Sequence, residues 1–537
     1  MKTSVSHSRQ VKATAIPHTP PSPWYTRIPR EAWIVAIILL LSLAFRFYFS
    51  VTFRLNPDEG FHFLFAHQPS LRDVRLETLT GIHTYPPLYV FLLHFTMMLG
   101  QSEFALRLPT LCFGTAFLLF AFLWTRQMFG SRAGIAALVL LAFSPGLVSL
   151  GYEVRNYALF LAATTVALYG LERVLRDKSA QWLAIAMLAE YVSILTNYSA
   201  VWICIVLGIF ILVHIGKRHL NADLVRQWVL YQLGAVGICG WLYTTHIRSL
   251  RGSASEAALR RFLRDSYFWP ETDNPISFSL RQTVAVFGYL LELQPLAVIG
   301  ALLFAGALIW IASGRDQSIR HPMTTSLLLG LPVLLGCAAA LAGVFPYGNS
   351  RHSSLFQPFL AAGLGYAISR LAPNRTAVLA ILSCAVVPWS IAAHQRAPYI
   401  PGPADSRQSM LAAVAAIRSL PKDSTLLTDH PGLIRLGYYL GRNVYSPYHD
   451  RPHGTVDIQY DGYRLLCPCG PWTLDTQLLP GMLRDWLLAG KIPPEGLYIF
   501  QSDLSNLETE LASLREPLRL QKVSRFGASA LFHLRQP

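Results

Sequence analysis

Apolar runs of membrane-spanning length alternate with short basic connections along most of this chain. Ala32 to Phe49 is apolar apart from Arg46. Further apolar runs occupy 104–125, 133–150, 157–175, 180–198, 200–216, 227–247, 295–313, 324–345, 354–371 and 376–394. Runs of about 18 to 22 residues cross the hydrocarbon core of a bilayer as α-helices. The connections alternate in character. Arg126 with Arg132, then Arg173, Arg176 and Lys178, then Lys217 and Arg218, then Arg315 and Arg320, then Arg370 and Arg375 fall on one side, together with the basic N-terminal tail. Cytoplasmic connections collect Lys and Arg, so this side is predicted to be cytoplasmic. The long polar lead before the first run, without a small-residue cleavage site, predicts an uncleaved first helix. The other side receives 53–103, 151–156, 248–294, 346–353 and everything after 395.

The run from Tyr85 to Leu99 opens with Pro86-Pro87 and is too short to span, so it predicts an interfacial or re-entrant helix. The expected fold is therefore an all-α polytopic membrane bundle of 11 spans, with the C-terminus outside. After 395 the texture changes. Ser424 to Asp429 and Gly496 to Phe500 read as short buried strands, while Leu433 to Leu440, Leu478 to Leu488 and Leu504 to Leu514 have helical spacing. Such alternation predicts a small α/β domain. The expected organisation is a cytoplasmic tail at 1–31, a transmembrane domain at 32–394 with a catalytic outer loop at 53–103, and an extracytoplasmic α/β domain at 395–537.

Composition agrees with the pattern. Only 14% of the 537 residues are charged and 53% are hydrophobic, against about 25% charged in a soluble domain. A soluble enzyme and a disordered scaffold are excluded. The net charge of +15 belongs to topology-setting loops rather than to a nucleic-acid partner. Of the seven cysteines, only Cys467 and Cys469 lie in an aqueous segment, and with one intervening Pro they read as a structural loop without a zinc partner set.

Candidate chemistry gathers on the outer side. Asn56-Pro57-Asp58-Glu59-Gly60-Phe61-His62 follows the first span directly. Acids at a membrane rim are costly and usually have a reason, although an acid after Pro57 also serves as a helix cap. In a helix, Asp58 and His62 share a face and Glu59 points elsewhere. Gly151-Tyr152-Glu153-Val154-Arg155-Asn156-Tyr157 lies on the same side and offers either an ion or phosphate site or an internal salt bridge. Tyr347-Gly348-Asn349-Ser350-Arg351-His352 adds two cationic donors, and Arg107 sits at the outer start of the second span; both could equally snorkel to lipid phosphates. His62, His83 and His94 read as core or interfacial histidines. The segment 248–294, with Arg260, Arg261 and Arg264, either covers the site or is a solvated amphipathic stretch.

Pro57-Asp58-Glu59, Pro86-Pro87-Leu88-Tyr89, Glu103-Phe104-Ala105-Leu106-Arg107-Leu108-Pro109 and Glu153-Val154-Arg155-Asn156-Tyr157-Ala158-Leu159 follow one another in this order. On that order and topology the chain resembles the GT-C membrane glycosyltransferases, specifically the protein O-mannosyltransferase and lipid A aminoarabinose transferase group, over about residues 32–375. The resemblance implies a hexosyl- or pentosyltransferase that moves a sugar from a polyprenyl-phosphate donor to a protein, lipid or glycan acceptor outside the cytoplasm of a cell (inner) membrane. It maps the catalytic acid to Asp58 with Glu59 beside it, and a second acidic motif to Glu153. Two departures stand out: His83, Thr84 and Tyr85 precede Pro-Pro where some relatives carry Lys, and Arg351-His352 replaces an Arg-Tyr pair.

The chemistry supports this assignment. A phosphate leaves as a stable anion, so no strong general acid is required, in contrast to glycoside hydrolysis. One carboxylate to take the acceptor proton and cations on the phosphate suffice. Asp58 is the expected base, Arg107, Arg155, Arg351 and His352 the expected phosphate partners, and the anomeric centre is expected to invert. A divalent metal, if used, would take oxygens from Asp58 and Glu153. The competing reading is a polytopic transporter or lipid flippase without covalent chemistry; the clustering of acids at one rim and the absence of an inverted repeat speak against it.

Overall fold

The computed structural model describes residues 29–79, 85–371, 401–440, 454–460, 462–469, 486, 489, 496–502 and 519–535. Its helices are α1 (Arg30–Thr52), α2 (Pro57–Ala66), α3 (Leu71–Leu79), α4 (Leu88–Thr96), α5 (Glu103–Phe129), α6 (Ser131–Phe143), α7 (Pro145–Leu150), α8 (Tyr157–Asp177), α9 (Ala180–Ile194), α10 (Ala200–Gly216), α11 (Ala222–Leu242), α12 (Arg248–Leu250), α13 (Ala254–Phe262), α14 (Pro275–Leu291), α15 (Gln294–Ala312), α16 (Pro322–Leu341) and α17 (Gln357–Leu371). Each expected span from 32–49 to 354–371 coincides with helix; the expected span at 376–394 and the domain boundary at 394–395 lie outside the described residues. Among the described residues, α1, α5, α8, α15 and α16 are long and apolar enough to cross a membrane alone, and α6, α9 and α10 are shorter apolar helices. The outer surface of the bundle is itself apolar: Leu40 and Leu41 on α1, Leu230, Leu233 and Val236 on α11, and Leu302 and Ile309 on α15 are exposed. Water does not favour such patches and lipid does, so this is an integral membrane protein.

The run at 133–150 is two helices, because Pro145 has no N–H to continue the ladder of α6. Arg46, the one charge of the first span, repairs the break. Its guanidinium donates to the carbonyls of Ala142 at 3.2 Å and Leu147 at 3.4 Å, and Ser42 Oγ also donates to Ala142 O at 3.2 Å. The short run after Pro86-Pro87 forms the nine-residue α4, far below spanning length.

The 248–294 segment departs from the expected outer loop. It contains α13 and α14, and α14 is built into the bundle. Ser144 Oγ donates to Tyr289 O at 3.3 Å, Gln357 Nε2 donates to Val286 O at 3.4 Å, and the hydroxyls of Thr283 and Tyr347 lie 3.1 Å apart. Arg281, Gln282 and Thr283 interrupt its apolar run, which hid it from a hydropathy reading. Arg260 pairs with Glu256 at 3.1 Å and lies over Tyr267, while Arg261 and Arg264 are exposed. No described contact joins these arginines to the residues around Asp58.

The C-terminal segment is α/β, as expected. Strands β1 (Thr425–Thr428), β2 (Gly454–Tyr460), β3 (Tyr463–Cys469), β4 (Leu497–Gln501), β5 (Arg519–Phe526) and β6 (Ser529–Arg535) form one sheet in the order β2-β3-β1-β4-β6-β5. Strand β1 runs parallel to β3 and β4, and the outer pairs are antiparallel. Helices α18 (Arg407–Arg418) and α19 (His430–Tyr439) accompany it; the expected helices at 478–488 and 504–514 fall almost wholly outside the described residues. Cys467 corrects the loop reading, since it lies in β3 and is disulfide-bonded.

This domain is sewn onto the loop that carries Asp58. Arg54 donates to Ser502 O at 3.0 Å and Ser529 Oγ at 2.7 Å and pairs with Asp405 at 2.7 Å. Arg435 donates to Leu55 O at 3.3 Å, and Tyr438 OH to Gln101 O at 2.8 Å. Arg407 and Tyr439 both reach Glu103. A shared apolar core joins Phe63, Leu64 and Val90 to Leu433, Ile434 and Leu465. The approach is close enough that a Cβ on Gly60 would meet Ile434 Cγ2 at 2.4 Å.

Candidate active site

Helix α2 starts with a capping box. Asn56 Oδ1 accepts from Glu59 N at 2.9 Å, and Glu59 Oε2 accepts from Asn56 N at 2.9 Å. Pro57 occupies the first helical position. The cap role considered for Asp58 therefore falls to Asn56, and the Asp58 carboxylate is left to face the neighbouring loops.

Two guanidinium groups meet that carboxylate. Arg351 Nη1 donates to Asp58 Oδ2 at 2.7 Å, and Arg155 Nη1 donates to the same oxygen. Arg155 is 3% exposed, whereas the side chains of Arg351 and Asp58 are 33% and 42% exposed. One cation is thus walled in and the other stands at an open edge. Arg155 Nη2 also donates to Tyr85 OH at 2.6 Å, and the guanidinium lies over the Tyr85 and Tyr157 rings at 5.7 and 5.3 Å. Aromatic faces stabilise a desolvated cation. Tyr85 is the partner that sequence reasoning missed; its place directly before Pro86-Pro87 was the available signal.

The other expected residues divide. Glu59 and Arg107 do not join this cluster. They form a buried bidentate pair, each 1% exposed, with both N–O contacts at 2.7 Å. Arg107 also donates to the carbonyls of Ser50 and Phe53 at 2.8 Å and of Arg54 at 3.0 Å, and Glu59 Oε1 accepts from Val154 N at 3.0 Å. Arg107 satisfies the open carbonyl end of α1, and its remaining donors are spent on Glu59. In this arrangement the donors of Arg107, expected as a phosphate partner, and the oxygens of Glu59, expected beside the catalytic acid, are all taken up within the protein. The pair fixes the start of α2 against 151–156.

Glu153 is buried and accepts from Ser149 Oγ at 2.5 Å. Burial, followed by the nearby Glu59 charge, pushes its carboxyl up to about 7. Its carboxylate is held by Ser149, and the Asp58 oxygen expected beside it as a metal ligand carries two guanidinium contacts here. His62 Nδ1 lies 2.9 Å from Asp58 O, and burial with the Arg155 charge lowers its pKa to about 4. His352 is half-buried beside Tyr157, with ring centroids 6.4 Å apart, and burial and Arg155 hold it neutral, with a pKa of about 4. Neither imidazole supplies positive charge at neutral pH. His94 Nδ1 lies 2.8 Å from Ala66 O, and His83 lies outside the described residues.

The site therefore consists of one half-exposed carboxylate, two arginines and a tyrosine at one rim of the bundle. It comes from the start of α2, the connection before α4, the connection before α8 and the connection before α17.

Comparison with known proteins bears on the fold. A profile of the dolichyl-phosphate-mannose-protein mannosyltransferases matches residues 84–242. No curated protein sequence matches the chain. Among solved structures, the chain is similar to ArnT from Cupriavidus metallidurans bound to undecaprenyl phosphate, at 17% identity and a TM-score of 0.50, covering 94% of this chain and 98% of that one. It is also similar to the archaeal oligosaccharyltransferase AglB from Archaeoglobus fulgidus in complex with an inhibitory peptide and a dolichol-phosphate, at 14% identity and a TM-score of 0.51, covering 96% of this chain and 75% of that one. The chain therefore shares the fold of ArnT and AglB over nearly its whole length, and the profile match falls within the stretch where the sequence resembles the protein mannosyltransferases.

Proposed function

We propose that this protein transfers a sugar from a polyprenyl-phosphate donor to an acceptor hydroxyl, and that Asp58 is its general base. The observation that carries the proposal is the shared contact of Arg155 and Arg351 with Asp58. Two cations and one anion leave a net charge of +1 at a lipid-facing rim, which suits a phosphodiester headgroup. ArnT and AglB were solved with undecaprenyl phosphate and dolichol-phosphate, and the same ligand chemistry fits here.

The donor phosphate takes over the guanidinium donors that Arg155 and Arg351 direct at Asp58 and so frees the carboxylate. The acceptor hydroxyl then attacks the anomeric carbon as Asp58 takes its proton. The bond from the anomeric carbon to the phosphate oxygen breaks, and its electron pair leaves with the phosphate. Negative charge grows on that phosphate as the reaction proceeds, so the two guanidinium groups bind the transition state more tightly than the ground state. Attack opposite the leaving phosphate inverts the anomeric centre. Tyr85 and Tyr157 hold Arg155 in place, while Glu59 and Arg107 hold α2. No step passes through a metal.

The basic connections support an orientation with the N-terminus in the cytoplasm and the reacting rim and C-terminal domain outside. The disulfide at Cys467 supports that side, because disulfides persist outside the reducing cytosol.

Full-length protein in vesicles, supplied with a radiolabelled polyprenyl-phosphate sugar and a membrane extract as acceptor source, is expected to form a new glycosidic product. Asp58→Asn is expected to lower that rate by about 100-fold or more, the usual weight of a general base. Movement of the donor lipid between leaflets with no glycosidic product would favour a flippase and overturn the proposal.

A further inference from the structure

The opposite rim of the bundle holds a second cluster that the transfer reaction does not use. Helix α10 begins beside the connection whose Thr196 O accepts from Asn156 Nδ2 at 2.6 Å, and its 17 residues carry the chain about 25 Å away. At its far end stand His214 on the last turn, His219 in the connection to α11, and His321 at the N-cap of α16. One ring nitrogen from each lies within 4.8 Å of the others. His214 Nδ1 and His219 Nδ1 are 2.8 Å apart, and the ring centroids of His321 lie 4.9 and 4.3 Å from those of His214 and His219.

His214 is fully buried, and its Nε2 has no hydrogen-bond partner among the described residues. A buried polar atom left unsatisfied is costly and calls for an explanation. Lys178, Lys217 and Arg320 face the imidazoles; Lys178 is anchored on His219 O. An imidazole nitrogen binds a metal through its lone pair.

We infer that His214, His219 and His321 form a transition-metal site that ties the end of α10 to the start of α16. Three imidazoles are a borderline-soft set suited to Zn²⁺, Cu²⁺ or Ni²⁺ rather than to Mg²⁺ or Ca²⁺. Tetrahedral zinc with Zn–N bonds of about 2.0–2.1 Å requires nitrogens about 3.3 Å apart. Closing the cluster to that size takes shifts of an ångström or so at the half-buried His219 and His321. The surrounding lysines favour an anion, such as chloride or hydroxide, as the fourth ligand. The metal would brace the rim that the chemistry leaves idle, so its binding can be read separately from sugar transfer.

The test uses full-length protein in nanodiscs, stripped with a chelator and titrated with Zn²⁺ and then Co²⁺. The expected result is one equivalent of zinc, a rise in unfolding temperature, and the visible absorption of four-coordinate cobalt. His321→Ala and His219→Ala are each expected to weaken zinc binding at least tenfold, and His321→Cys to retain it because a thiolate is a zinc ligand. Should His214→Ala fail to fold, the two half-buried positions carry the test. Failure of the wild type to retain zinc, or equal affinity in the wild type and both alanine variants, would overturn the inference.

Discussion

At the scale of single residues, the adjacent acids Asp58 and Glu59 have opposite fates. Glu59 is sealed against Arg107, and Asp58 stands at an open edge between Arg155 and Arg351. Helical spacing separates their directions, and that much was legible in the sequence. The partner of each was not, because Arg107 and Arg155 have equal claims until the α1 end and the α8 start are placed. Removing one member of a buried ion pair costs about 3–5 kcal/mol, so Arg107→Ala is expected to unfold well below the wild-type temperature in a detergent melt, with or without donor lipid. Arg351→Lys, which keeps charge but loses the fork geometry, is expected to raise KM for the donor several-fold with a smaller loss in kcat. Steady-state kinetics with a varied donor would show the split. Glu153 gives a pH signature. Its carboxyl is raised from an ordinary 4.5 to about 7, so the fold favours the protonated form. The associated stability is fully present below about pH 4.5 and is lost as the pH rises to about 7. Melting temperatures across that interval are expected to fall more steeply for the wild type than for Glu153→Gln, which cannot ionise.

At the scale of elements, hydropathy found the helices whose whole length is apolar and missed those that packing defines. Helix α14 is interrupted by Arg281 and Gln282 yet is held by Ser144 and Gln357. Two strands, β2 and β3, contain few of the continuous apolar positions that made β1 and β4 visible. Arg46 was visible as an isolated charge, but its purpose required knowing that Pro145 breaks a helix 99 residues later in the sequence. Helix α2 carries the proposed base, and its start rests on the Asn56–Glu59 box. Asn56→Ala is expected to cost about 1 kcal/mol of local stability and to lower kcat with little change in donor KM, since Arg155 and Arg351 are untouched. Unchanged kcat would show that Asp58 needs no such support.

Over the whole molecule, the C-terminal domain is a wall of the site rather than an appendage. It grips residues 53–60 through Arg54, Arg435, Tyr439 and the Gly60–Ile434 contact. An α/β tail was legible from its alternating texture; its docking was not, because Gly60 and Ile434 are far apart in sequence and neither is unusual alone. Gly60→Val is expected to wedge the interface open, expose the C-terminal domain to limited proteolysis and lower transfer, while the membrane bundle stays protected. The central claim concerns the exchange of partners at Asp58: a lipid phosphate takes the arginines that the carboxylate holds when no donor is bound. Polyprenyl-phosphate binding by purified Asp58→Asn tests it most directly. Loss of the competing carboxylate should leave phosphate affinity equal to or higher than that of the wild type while sugar transfer disappears, and Arg351→Ala should bind at least tenfold more weakly. An Asp58→Asn protein that loses lipid-phosphate binding, or one that still transfers sugar at the wild-type rate, would contradict the account.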